Sequence, residues 1–572
     1  MTVRALDGAR SDDTRMQHSR AKNSIKKVLR NEKYAEPDMS DLIHHLVTNS
    51  ARHWPGRSAL AFKDLRLTYA ELEREMSRAA GALLGLGLGR GERVAVYLDK
   101  RIETVVGLFA ATAAGGAFVP VNPLLRPRQV GYILRDCGVR VLITAPERAR
   151  GLATELRSCP DLKSVIVTGP LPADLDLPGV DVVAWHEALA RSEESAAAPH
   201  RVIDTDVAAI MYTSGSTGSP KGVVLSHRNL VVGGKSVSQY LENNEDDRIL
   251  SVLPLSFDAG LSQLTTGFSV GAEVVLMNYL LPGDVVRICA EERVTGLTCV
   301  PPLWIQLAQQ DWPTEATQSL RYFANTGGHV NKPLLDRLRT IFPQAKPFLM
   351  YGLTEAFRST YLDPREVDRR PSSIGKAIPN AEILVVREDG SPCDPGEHGE
   401  LVHRGALVAM GYWNDQERTA ERFRPAPQRD PGLATPEIAV WSGDIVYADD
   451  EGFLYFVGRR DEMIKSSGYR ISPSEIEEVV YRSGRVKEAA ALGVPHPVLG
   501  QGIVVVAAPK DGLPLDVEAL MADCRQQLPR FMVPEVIAAR DALPRSPNGK
   551  IDRSLLTREF DQMFAKEQQG QA

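Results

Sequence analysis

The sequence predicts an α/β protein, with a large N-terminal part of several subdomains and a small α+β domain towards the C-terminal end. Three observations predict it. Helix-period and strand-period apolar patterns alternate along the first part of the chain, as in parallel strands joined by helices. Near Asp444 the texture changes to short strand-like runs and then a compact β/α stretch. The 572 residues also exceed what one ordinary core organises, so the chain divides into more than one domain.

Taken in order, residues 1–38 are polar and mostly basic, lack the apolar core of a secretory signal, and read as a disordered tail. An ordered segment is expected to open at Met39. Residues 67–84 read as an amphipathic helix, with Thr68 and Glu71 as a capping box and Leu72, Met76, Ala79, Ala80 and Leu83 at helical spacing. Glycines 85, 87, 89 and 91 follow this helix and precede a strand over 93–98. That is the reverse of the dinucleotide-binding order, so the cluster reads as a helix stop. Helix 102–114, strand 117–121, helix 128–136 and strand 139–144 continue the alternation, and 192–199 reads as a surface loop. Strands over 445–447 and 453–457 lead to a boundary at Asp461. Beyond it come helix 474–482, strands 488–494 and 502–508, and helix 517–528. The expected organisation is a tail over 1–38, an N-terminal domain over 39–460, a C-terminal domain over 461–560, and a tail over 561–572.

Composition excludes several functions. A content of 43% hydrophobic and 24% charged residues is that of a soluble globular protein. With a net charge of −6 and no basic stripe interleaved with aromatics, no nucleic-acid partner is expected. The six cysteines form no C-x-x-C and no zinc spacing with histidine, which points to a reduced, cytoplasmic setting. The longest apolar run, 104–118, falls short of the roughly 18 residues of a membrane span.

The sharpest motif runs from Tyr212 to Gly222: Thr213, Ser214, Gly215, Ser216, Thr217 and Gly218, then Ser219-Pro220-Lys221, after a strand over 207–211. Glycines let backbone N–H groups approach an oxyanion, hydroxyls add donors, and Lys221 adds a cation. The spacing is not that of a Walker A loop. No Ser/His/Asp or Cys/His arrangement stands out.

This loop strongly resembles the signature of the adenylate-forming superfamily, which comprises acyl-CoA synthetases, adenylation domains of nonribosomal peptide synthetases, and firefly-type luciferases. The resemblance runs in order from about Asp41 to Leu555. It implies that fold, with a mobile C-terminal domain, and a reaction in which ATP and Mg²⁺ activate a small carboxylic acid as an acyl-adenylate. Tyr351-Gly352-Leu353-Thr354-Glu355 matches the second motif; by resemblance Tyr351 stacks on adenine, Thr354 contacts the α-phosphate, and Glu355 holds the metal. Gly327 and Gly328 sit where backbone approaches adenine. Asp444, after Trp441-Ser442-Gly443, matches the ribose ligand, although Ser442 departs from the usual threonine. Arg459 is placed on the ribose and Asp461 at the hinge. The run 464–471 matches the segment lining the thiol tunnel, with Gly468 where a side chain would block pantetheine. Lys550, in Pro547-Asn548-Gly549-Lys550, would bridge the acid carboxylate and the α-phosphate.

Carrying the acid pocket across gives Phe257, Asp258, Ala259, Ser262, Leu303, Ala324, Thr326, Met350, Arg358 and Ser359. Asp258 matches the aspartate that binds the substrate ammonium in amino-acid-activating members; the alternative is a helix cap or a partner for an internal arginine. A wall bearing Asp258 and Arg358 suits a polar or amino-bearing acid. The Ala-Phe-Arg-Ser-Thr-Tyr run after Glu355 further resembles acyl-CoA ligases associated with bacterial exosortase A systems. The sequence shows no phosphopantetheine-bearing segment after Lys550, so the thiol is expected in trans, as CoA or a separate carrier protein. The other readings are a stand-alone amino acid adenylation enzyme, a luciferase-like oxygenase, and an inactive binding homologue.

Overall fold

The computed structural model describes residues 42–191, 201–213, 220–328, 330, 332–427, 432–459, 463–510, 514–544 and 551–565, with the backbone alone at 458, 459, 470, 474 and 554. The expected loop at 192–199, the boundary at Asp461, the N-terminal tail, the start of the segment opening at Met39 and residues 566–572 of the C-terminal tail lie outside these residues, as do Ser214–Gly218 of the phosphate loop and Lys550.

Among the described residues the chain forms four sheets. The first has nine strands. Its parallel centre comprises Glu273–Leu276, Arg248–Ser251, Gly296–Cys299, Tyr322–Asn325 and Lys346–Tyr351. The second, of eight strands, runs in parallel through Val207–Thr213, Ala117–Pro120, Arg93–Tyr97, Val139–Thr144, Ser164–Val167 and Asp181–Ala184. Helices pack between and around these sheets, and the largest apolar cluster runs from Leu72 and Phe109 to Phe268 and Phe348. The alternation in the sequence is thus that of parallel strands with crossover helices.

Helix Tyr69–Gly85 carries the expected capping box of Thr68 and Glu71 and stops at the glycine cluster. Leu67 belongs instead to strand Leu65–Thr68, because that run pairs with Ser58–Phe62 in an antiparallel ladder. Helices Ile102–Ala113 and Pro127–Asp136 stand where periodicity put them.

The third sheet was foreseen only in part: the strands expected over 445–447 and 453–457 fall within two of its members, Ile438–Ala448 and Leu454–Arg459. It is antiparallel, built from Ala381–Val386, Gly399–Gly405, Phe423–Pro425, Ile438–Ala448 and Leu454–Arg459. Strand Ile438–Ala448 is buried in an unbroken run from Ala439 to Asp444, so it lacks the alternation that marks a half-exposed strand. The fourth sheet joins hairpin Ile464–Ser466/Tyr469–Ile471 to the long pair Val486–His496 and Gly500–Pro509. Helices Pro473–Arg482 and Val517–Gln527 contribute to its apolar cluster. No described helix is long and apolar enough to cross a membrane, and the six cysteines are unpaired.

Candidate active site

The phosphate loop joins two antiparallel strands. Thr213 pairs with Lys221 across the ladder, which sets the lysine opposite the last strand residue before the loop. Tyr212 fixes this end of the hairpin: its hydroxyl donates to Asp136 Oδ2 at 2.5 Å, and burial raises both groups above their ordinary pKa. Strand Gly411–Tyr412 pairs with the outer side of the hairpin, Tyr412 against Val223, and this register brings Tyr412 to Lys221.

Lys221, Tyr412 and Glu355 form one cluster. The Lys221 ammonium donates to the Tyr412 hydroxyl at 3.1 Å and lies 3.7 Å from Glu355 Oε1. The Tyr412 hydroxyl donates to Glu355 Oε1 at 2.6 Å. Burial, then the Glu355 carboxylate, raises the Tyr412 phenol well above its ordinary pKa, so it stays a proton donor. Tyr412 was missed by sequence reasoning, because it lies 57 residues from Glu355 and only sheet register joins them.

Tyr351 ends strand Lys346–Tyr351, and Thr354–Ala356 form a short 3₁₀ turn behind it. The Tyr351 hydroxyl donates to Asp444 Oδ2, so the residues assigned to adenine and ribose meet. Asp444 follows Gly443, whose φ of +67° and closeness to Arg422 suit glycine. Ser442, the departure from the family pattern, donates its hydroxyl to Leu401 O at 2.6 Å and accepts from the Asp444 N–H. Arg459 ends strand Leu454–Arg459, opposite Asp444 in the ladder.

Lys221, Tyr351 and Glu355 open on a cavity of about 1130 Å³, whose lining does not include Asp444 or Tyr412. Its wall includes Thr213, Lys221, Gly327, Gly328, Tyr351, Thr354 and Glu355 on the nucleotide side. Phe257, Asp258, Ala259, Leu303, Thr326, Met350 and Arg358 also line it. Ser262 lines a separate cavity of about 10 Å³, bounded too by Ala259, Met350 and Arg358, which is room for about one water.

Two expected pocket residues face elsewhere. Ser359 is fully buried and its hydroxyl bonds His403 Nδ1 at 2.9 Å. Ala324 is fully buried within the main apolar cluster and lines neither cavity. Both sit on strand or turn positions whose side chains alternate away from the cavity.

Asp258 and Arg358 are not separate charges on the wall. Arg358 Nη1 donates to Asp258 Oδ2 at 3.1 Å and to Thr326 Oγ1 at 3.3 Å, and Thr354 Oγ1 donates to Asp258 Oδ1 at 3.3 Å. The alternative reading of Asp258, as partner of an internal arginine, describes this arrangement.

The opposite wall comes from the fourth sheet. Lys465, Ser467, Gly468 and Tyr469 line the cavity. Ser467 and Gly468 form the hairpin turn with φ of +54° and +81°, a geometry that favours glycine. A Cβ on Gly468 would also lie 3.0 Å from the Val300 side chain. Tyr469 stacks on Phe531 with centroids 3.8 Å apart and meets Phe257 edge-on at 5.1 Å. Lys100, also missed, lines the cavity with its ammonium donating to Ser251 O and Leu253 O; burial lowers its pKa to about 7.

Glu355 presents a hard oxygen among residues assigned to phosphate. That suits Mg²⁺, which is commonly held by one or two carboxylates plus phosphate oxygens. No group of three or more metal-ligating side chains occurs among the described residues.

Comparison with known proteins shows the family. The model of the AMP-binding enzyme family matches residues 47–413, and that of the AMP-binding enzyme C-terminal domain matches residues 475–550. A feruloyl-CoA synthase from Amycolatopsis sp is 32% identical over 516 residues, covering 89% of this chain and 97% of the relative. A linear gramicidin synthase from Brevibacillus parabrevis is 29% identical over 518 residues, which are 90% of this chain but 10% of that protein. Among solved structures, o-succinylbenzoate CoA synthetase from Bacillus subtilis superimposes with a TM-score of 0.77 at 27% identity, covering 89% of this chain and 97% of that one. The chain belongs to the AMP-binding enzyme family, within the adenylate-forming superfamily.

Proposed function

We propose that the chain is an AMP-forming acid–thiol ligase. It activates a carboxylic acid with ATP to an acyl-adenylate and pyrophosphate. It then passes the acyl group to the thiol of CoA, or of a phosphopantetheine on a separate carrier protein. The observation that carries this reading is that the nucleotide-side residues and the Gly468 turn open on one cavity of about 1130 Å³. Small-molecule pockets commonly measure about 300–1,000 Å³, and this cavity lies just above that range. The likeness to a feruloyl-CoA synthase supports CoA as acceptor.

In the first step a carboxylate oxygen of the acid attacks the α-phosphorus in line, and pyrophosphate leaves with the electron pair of the broken P–O bond. No side chain forms a covalent bond, so the protein's work is to position the reactants and offset charge. Tyr351 faces the adenine, with Gly327 and Gly328 allowing its approach; Asp444 and Arg459 hold the ribose. Thr213, Thr354 and Lys221 meet phosphate oxygens; Ser214, Gly215, Ser216, Thr217 and Gly218 are assigned to the same oxygens by resemblance. Glu355 would hold Mg²⁺, which offsets phosphate charge when bound. Lys550 is assigned to the acid carboxylate and the α-phosphate. In the second step the thiol sulfur attacks the acyl carbon, the bond to AMP breaks, and the thiol proton passes to solvent. Gly468 leaves the passage open for the pantetheine arm.

Of the two acid classes raised by the sequence, the amino-bearing one loses support, because Asp258 already has a cationic partner in Arg358. The test is pyrophosphate release with ATP across a panel of aryl, short-chain and long-chain acids, followed by CoA and mass spectrometry of the product. AMP, pyrophosphate and an acyl thioester in equal amounts are expected; ADP and phosphate instead would refute the reading.

A further inference from the structure

Among the described residues three carboxylates line the large cavity: Asp99, Asp258 and Glu355. Each already faces a cation. Asp99 pairs with Arg148 at 2.9 Å, Glu355 lies 3.7 Å from Lys221, and Asp258 pairs with Arg358 at 3.1 Å. The last pair occupies the most sensitive place. Asp258 accepts from Thr354, next to Glu355, so it borders the point where, on the function proposed above, acid and phosphate meet.

We infer that the Asp258–Arg358 pair is a charge lock, which makes the ligase select acids that carry no amino group beside the carboxyl.

The lock is built rather than incidental. The Asp258 and Arg358 side chains are 14% and 3% exposed, and Thr326 holds the same guanidinium nitrogen. Arg358 is aimed by a strained turn: Phe357 adopts a φ of +56°, which a bulky residue rarely does. The turn is held because Phe357 is fully buried against Gly233, where a Cβ would come within 2.4 Å of the ring. An ammonium approaching Asp258 must either expel a buried guanidinium from its partner or sit beside it as a like charge. Both are costly in a desolvated site. An acid without the amino group meets neither penalty, so the device works by exclusion.

The inference rests on the ligase reading, and its test uses matched acids that differ only in that amino group. The probes are 3-phenylpropanoate with phenylalanine, and hexanoate with norleucine, scored by ATP-dependent pyrophosphate release. The wild type should favour the deaminated member by about tenfold or more. Arg358→Met uncovers the Asp258 carboxylate and should move the ratio towards the amino acid by about tenfold or more. Arg358→Lys restores a cation and should keep the wild-type preference. The double variant Asp258→Asn/Arg358→Met removes both charges without leaving either unpaired, and should lose the gain seen in the single variant. Pyrophosphate release by the wild type with the amino acids at an equal or greater rate overturns the lock while leaving the ligase reading intact. A gain that persists in the double variant also overturns it.

Discussion

Tyr412 joins the two charged residues that the nucleotide phosphates would meet. Its hydroxyl accepts from Lys221 and donates to Glu355, so it fixes both side chains in one orientation before any reactant arrives. Charge-assisted hydrogen bonds of this kind are among the stronger ones, and preorganised groups facing developing charge commonly dominate catalysis. Tyr412→Phe should therefore slow pyrophosphate release by about tenfold, a change of about 1.4 kcal/mol, and raise the KM for ATP; an unchanged rate would show that the cluster does not need the bridge. Residue identity made part of this site legible. Thr354, Glu355, Lys221 and Gly468 each sit in a short run whose local pattern survives in the sequence. Tyr412 does not, since it is brought to a residue 57 positions away only by sheet register; an internal arginine was one reading of Asp258, but which arginine it pairs with, 100 positions on, depends on the turn at Phe357.

At the scale of elements, the hairpin turn of Ser467 and Gly468 and the helix Pro473–Arg482 decide how the fourth sheet meets the rest. Gly468→Leu places a side chain at positive φ and against Val300. It should leave acid-dependent pyrophosphate release within about threefold of wild type and lower thioester formation by about a hundredfold or more. Equal loss of both half-reactions would place Gly468 outside the thiol path. Glu475, on that helix, accepts from Gln129 Nε2 at 2.7 Å across to helix Pro127–Asp136. Burial raises its pKa to about 7, against the lowering effect of Gln129. Between the ordinary carboxylate range and about pH 7 the folded state then holds a proton that the unfolded chain has released, so stability falls as pH rises through that interval. Glu475→Gln should flatten this part of the profile of apparent melting temperature against pH; an unaltered slope would assign it to other groups. The two large sheets were legible because their strands and helices alternate in period. Of the antiparallel sheet that ends at Arg459 only the stretches 445–447 and 453–457 were, since the first part of its longest strand is buried in an unbroken run and shows no alternation to read.

On the scale of the whole molecule, one cavity lies between walls drawn from sequence as far apart as Lys100 and Gln501. Two half-reactions with different partners are to run in it, and by resemblance the C-terminal domain turns between them with Asp461 as hinge. Asp461→Pro should leave adenylate formation largely intact and cripple thioester formation, as read by pyrophosphate release against acyl-thiol yield. A uniform loss would mean that no turn about this residue is needed. The ordered series of motifs made the family legible, while the choice of acid was not, because on the proposed charge lock it depends on which wall charges are already paired. The most direct measurement is the rate of AMP and pyrophosphate formation from ATP and an accepted acid in Lys550→Ala, beside its rate of thioester formation from the preformed acyl-adenylate. The account predicts that adenylate formation falls by about a hundredfold or more while thioester formation from the adenylate persists; adenylate formation at the wild-type rate would contradict it.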